Sequence, residues 1–130
     1  MQGESTLAYT VEMQEASRLI RIVHTGSASI EEFIEARQYA ADLMKSLRYL
    51  LLLVDVQYVN YSTTMVEQYE FALENIEVFP PDSRIAVVLA LEALTDGRFV
   101  EDVALEHGVE IRMFTDPLSA EQWLKAGLSV

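Results

Sequence analysis

The sequence predicts one α/β domain of order β-β-α-β-α-β-α-β-α. It has a mostly parallel five-stranded sheet, an antiparallel first strand and helices on both faces. Three observations predict this. Strand-like and helix-like hydrophobic patterns alternate from residue 30 onward. Two interior stretches, LLLVDV (51–56) and RIAVVLAL (84–91), are apolar without alternation, as a strand must be when both of its faces are covered. The first two strand patterns are separated only by residues 14–17, a link that suits a hairpin and is too short for a parallel crossover. Strands alternating with helices then call for right-handed crossovers and a parallel sheet.

The elements follow in order. Residues 7–13 alternate, with Leu7, Tyr9, Val11 and Met13 on one side and Ala8, Thr10 and Glu12 on the other. Residues 18–23 alternate too, and Gly26 is expected to break that strand. Ser29-Ile30-Glu31-Glu32 has the capping-box form, and Phe33, Ala36, Ala40, Leu43 and Leu47 recur at helical spacing, so a helix runs to about Leu47. A two-sided strand over 49–56 ends near Asp55, leaving Tyr58 and Tyr61 in the loop beyond it. Ser62-Thr63-Thr64 offers caps for a second helix, stopped by Pro80-Pro81. Residues 84–91 form the next strand, and a third helix covers about 96–107 and ends at Gly108. A short strand over 109–114 precedes Asp116-Pro117, which open the last helix as N-cap and first helical position. Trp123 is expected to dock that helix onto the sheet.

Composition bounds the function. The chain has 130 residues, the size of one domain, and 51% of them are hydrophobic, ample for a packed core. It has no cysteine, so disulfides, thiolate metal sites and a cysteine nucleophile are excluded, in keeping with a cytoplasmic protein. The start MQGESTLAYT lacks a basic segment and an apolar segment, so no signal peptide is expected, and no apolar run is long enough to span a bilayer. A formal charge of −12 repels phosphate backbones and anionic membranes, so neither nucleic acid nor a membrane surface is an expected partner.

Four segments together carry a family resemblance: LLLVDV (51–56), RIAVVL (84–89), RFVEDVALEHGVEIRMF (98–114) and TDPLSAEQWL (115–124). With this order of elements the chain resembles the STAS superfamily of sulfate-transporter and anti-sigma-factor-antagonist domains. It is most similar to the small bacterial anti-anti-sigma-like proteins. The resemblance implies a STAS-like fold and a regulatory role through protein binding. In antagonists of this kind the third strand ends in Asp, an aromatic residue follows, and the serine of an Asp-Ser pair opens a helix and is phosphorylated by a partner kinase. Asp55 matches the strand-end acid and Tyr61 the aromatic residue. Thr63-Thr64 stands where the Asp-Ser pair would be, and Met65-Val66 where a glycine is expected. STAS-like domains also resemble the CRAL-TRIO lipid-transfer fold, which implies a small apolar or lipid-like ligand as the alternative.

The candidate sites each have two readings. Asp55 lies at a carboxyl end of the sheet, where open α/β folds bind ligands, or it accepts hydrogen bonds from loop amides and fixes the turn. Ser62, Thr63 and Thr64 are a phospho-switch or a helix cap. Glu67, Glu70, Glu74 and Glu77 form one stripe at +3, +4 and +3 spacing, either a docking face for a basic partner or a solvated face. Tyr58 and Tyr61 line a ligand pocket or partner surface, or Tyr61 tucks under the following helix as a hydrophobic anchor, as the resemblance implies. Catalytic patterns are missing: the two histidines, His24 and His107, have no HExxH or triad partners, and there is no Walker A motif or GxGxxG. No catalytic residue, metal or cofactor is therefore expected. The reading that results is a non-enzymatic STAS-like interaction module, with an exposed hairpin edge able to pair with a copy of itself. A carrier of a small apolar ligand is the alternative.

Overall fold

The computed structural model describes residues 9–28, 30–61, 78–91, 98, 101–102, 104–106 and 110–126, with side chains at all of these except 27, 28, 30, 60 and 61. Strands β1 (Tyr9–Gln14) and β2 (Leu19–Ala28) form the hairpin, with Tyr9 opposite His24 and Gln14 opposite Leu19. Arg18, in the left-handed region at φ 53°, closes the turn by donating its N–H to the Glu15 carbonyl at 3.2 Å. Helix α1 (Ile30–Leu47) follows. It stops at Arg48, also left-handed at φ 61°, and Tyr49 N–H closes back on the Met44 carbonyl at 2.9 Å. Strands β3 (Leu51–Tyr61), β4 (Arg84–Val88) and β5 (Glu110–Phe114) complete a five-stranded sheet of order β1-β2-β3-β4-β5, parallel from β2 to β5. Helix α2 (Pro117–Ala126) ends the described chain. Asp116 caps it, accepting the Ser119 N–H at 2.8 Å. Between β4 and β5 the described residues from 98 to 106 are helical. The helix expected after Ser62 lies outside the described residues.

The sheet is covered on both faces, which is why LLLVDV needs no polar alternation. Ile20, Ile22, Leu52, Val56, Ile85, Ile111 and Met113 pack with Ala36, Ala40 and Met44 of α1 and with Ala104. The intervening residues Leu19, Leu51, Leu53, Ala86 and Val88 pack with Ala120 and Leu124 of α2. Trp123 docks α2 as expected. Its ring lies 5.8 Å from Phe114, the Arg84 guanidinium sits 4.1 Å above it, and Arg84 also donates to the Trp123 carbonyl at 3.0 Å. Arg84 therefore spans sheet and helix, while its Nε stands 3.7 Å from Glu110, an ion pair too long to be a hydrogen bond.

Three boundaries differ from the sequence expectation. Strand β4 stops at Val88 and does not reach Leu91. Gly26 does not break β2; at φ 73° it stays in the ladder opposite Val59, and β2 runs on to Ala28. Likewise Asp55 does not end its strand. Strand β3 continues to Tyr61, so Tyr58 and Tyr61 are strand residues rather than loop residues. The reason is that β2 and β3 keep pairing after β4 has left the sheet at Val88, the partner of Asp55. The two long strands project as a ribbon beyond the rest.

Candidate functional site

Asp55 occupies the last row that crosses the parallel sheet, Val23–Asp55–Val88–Phe114. Its side chain faces the α2 side, as Leu53 does, and it is buried. A carboxylate among apolar neighbours needs hydrogen bonds, and Gln57 supplies both described here. Its backbone N–H donates to Asp55 Oδ1 at 3.1 Å and its side-chain amide to Oδ2 at 3.0 Å.

That clamp sits on a β-bulge. The register steps from Val23 opposite Asp55 to Thr25 opposite Tyr58, so His24 faces both Val56 and Gln57. The extra residue resets the alternation. Val59 turns to the α1 side and packs against its core, which leaves Tyr58 on the same side as Asp55. Tyr58 is 66% exposed.

Two other large apolar side chains are exposed at this carboxyl end of the sheet: Leu91, three residues beyond the end of β4, at 73%, and Leu118, in the first turn of α2, at 66%. Sequence reasoning missed both, because Leu91 reads as the end of a buried strand and Leu118 as part of an amphipathic helix. It also missed Gln57, whose role depends on the bulge.

On the opposite face, His24 is only 2% exposed. Its ring lies 4.7 Å from Phe33 and 5.5 Å from Tyr9. Burial pushes its pKa down to about 4, against a smaller upward pull from Glu32. Its Nδ1 is buried with no hydrogen-bond partner among the described residues. At neutral pH His24 is an uncharged core residue.

Asp55 and Tyr58 are thus brought to one face. Tyr61 is placed by its backbone as the last residue of β3. Ser62, Thr63, Thr64, Glu67, Glu70, Glu74 and Glu77 lie outside the described residues. Among the described residues, no three His, Asp or Glu side chains come together as a metal site, and no helix is long and apolar enough to cross a membrane.

No protein-family model and no curated protein sequence matches the chain. Among solved structures it is similar to an uncharacterized protein of the DUF3478 family, with a SpoIIAA-like fold, from Shewanella loihica PV-4. The two are 15% identical with a TM-score of 0.54, over 95% of this chain and 99% of that one. Both the likeness and the mixed sheet with its antiparallel first strand lead to one statement: the chain has the SpoIIAA-like, STAS-type α/β fold.

Proposed function

We propose that this chain is a non-enzymatic STAS-like interaction module, and that it docks a protein partner on the carboxyl end of its sheet. The observation that carries this is the exposure of Tyr58, Leu91 and Leu118 around the buried, clamped Asp55. Water-exposed apolar side chains gathered at one end of a fold favour burial by a partner. An amphipathic Tyr suits such an interface. The net charge of −12, with Glu67, Glu70 and Glu74 following the ribbon in sequence, supports a partner with a basic rim. In the same segment Ser62, Thr63 and Thr64 are where phosphorylation would alter docking.

The test is quantitative affinity capture from the host's own lysate with three baits. These are the wild type, a Tyr58→Asp/Leu118→Asp variant, and Leu47→Asp, which alters an exposed leucine at the far end of α1. A protein held by the wild type and by Leu47→Asp, and lost by the double variant, is expected. Capture that is the same for all three baits would reject the surface. A stoichiometric small molecule seen by native mass spectrometry in protein from the same host would reject the module reading in favour of a small-ligand carrier.

A further inference from the structure

The two edges of the sheet are treated differently. At β5 the outward Met113 N–H is taken by Glu101 Oε2 at 2.6 Å, and Arg98 holds both oxygens of that carboxylate at 3.1 Å. That edge is blocked by a side chain. At the other edge, β1 has a single strand neighbour among the described residues, β2. An edge strand ordinarily carries Lys, Pro or a bulge that discourages further pairing. The sequence of β1, YTVEMQ, has none of these. Its one charge, Glu12, lies 3.8 Å from Arg21, which also pairs with Glu121. The edge is close to neutral in a chain that is otherwise strongly acidic.

The α1 side of this edge is also apolar and open. Met13 is 57% exposed and Tyr39 49% exposed. At the start of β1, the Tyr9 hydroxyl donates to Glu35 of α1 at 3.0 Å.

From these observations we propose that β1 pairs with β1 of a second copy, antiparallel about a two-fold axis at Val11, to give one continuous sheet. The axis follows from the side chains. Pairing about Val11 places Val11 against Val11, Tyr9 against Met13 and Thr10 against Glu12, so apolar meets apolar on the α1 side and polar meets polar on the other. Because facing residues must share a side of the sheet, the neighbouring registers lie one residue away along the axis. One of them sets Glu12 against Glu12, which like-charge repulsion disfavours. The other carries Met13 out of the described pairing. This surface is separate from the rim around Tyr58, so it stands or falls independently of the proposed docking site.

The test is sedimentation velocity of the full chain over a wide concentration range, with thermal unfolding to establish that every variant is folded. The wild type is expected to dimerise reversibly. Thr10→Glu sets two Glu–Glu contacts across the axis and is expected to weaken the dimer roughly tenfold, whereas Thr10→Lys sets two Lys–Glu contacts and strengthens it. Met13→Lys removes the contact with Tyr9 and is expected to weaken it. A wild type that stays monomeric throughout would overturn the proposal and leave residues 1–8 or a strand of another protein as the cover for this edge. So would a dimer that responds to neither Thr10 variant.

Discussion

Gln57 grips the Asp55 carboxylate with both its backbone N–H and its side-chain amide, at 3.1 and 3.0 Å. The pair joins the last row across the parallel sheet to the first residues of the projecting ribbon. Asp55→Ala would leave the Gln57 donors without their acceptor and is expected to cost about 1–3 kcal/mol in urea unfolding. Asp55→Asn keeps an oxygen for the backbone N–H, and the Gln57 amide can turn its own oxygen toward the new NH2. Its expected cost is below about 1 kcal/mol. Equal losses for the two variants would mean that the charge, rather than the clamp, is what the fold uses.

His24 makes stability depend on pH in a defined window. Its folded pKa is depressed to about 4, and the unfolded side chain titrates near 6.5. Between these values the unfolded state binds more protons than the folded state, so stability is full above about 6.5, falls as pH drops through the window and levels off below about 4. The difference between about 4 and 6.5, at about 1.4 kcal/mol per pH unit, sets an upper bound of ~3.5 kcal/mol on the loss. Thermal or urea unfolding measured from pH 7 to pH 4 should show this slope, and His24→Gln should remove most of it. A wild-type slope that the variant reproduces would assign the dependence to carboxylates instead.

Much of this was legible in the chain. The aliphatic run Leu51–Val54 could only be a strand covered twice, and Asp116-Pro117 could only open a helix, as the 2.8 Å bond from Ser119 bears out. What could not be read was where β2 and β3 stop. Residues Gln57 to Tyr61 mix polar and aromatic side chains in a way that looks like a loop, because the bulge interrupts the period of two on which a strand is recognised. Gly26 looked like a breaker for a related reason: its positive φ sits inside a ladder, which pairing sustains and local sequence does not reveal. The apolar rim was illegible because Leu91 and Leu118 occur in segments where most other apolar residues are buried or half-buried, and only the packing decides which of them face water.

Arg48 is the position where the local sequence and the fold disagree most simply. Helix α1 ends with the Tyr49 N–H returning to Met44, a geometry that puts the residue between helix and strand in the left-handed region, and that residue is an exposed arginine at φ 61°. A side chain with a Cβ is disfavoured there by roughly 1–2 kcal/mol, whereas glycine is not. Glycine also gives the unfolded chain more freedom, which offsets roughly 0.5–1 kcal/mol of that relief. The first effect is the larger, so Arg48→Gly is expected to stabilise the protein by about 0.5–1 kcal/mol, read as a higher urea midpoint with an unchanged slope. Arg48→Ala keeps the Cβ and should give no such gain. If both variants were equally destabilising, the arginine side chain itself would be holding the end of α1, and the backbone argument for this turn would fail.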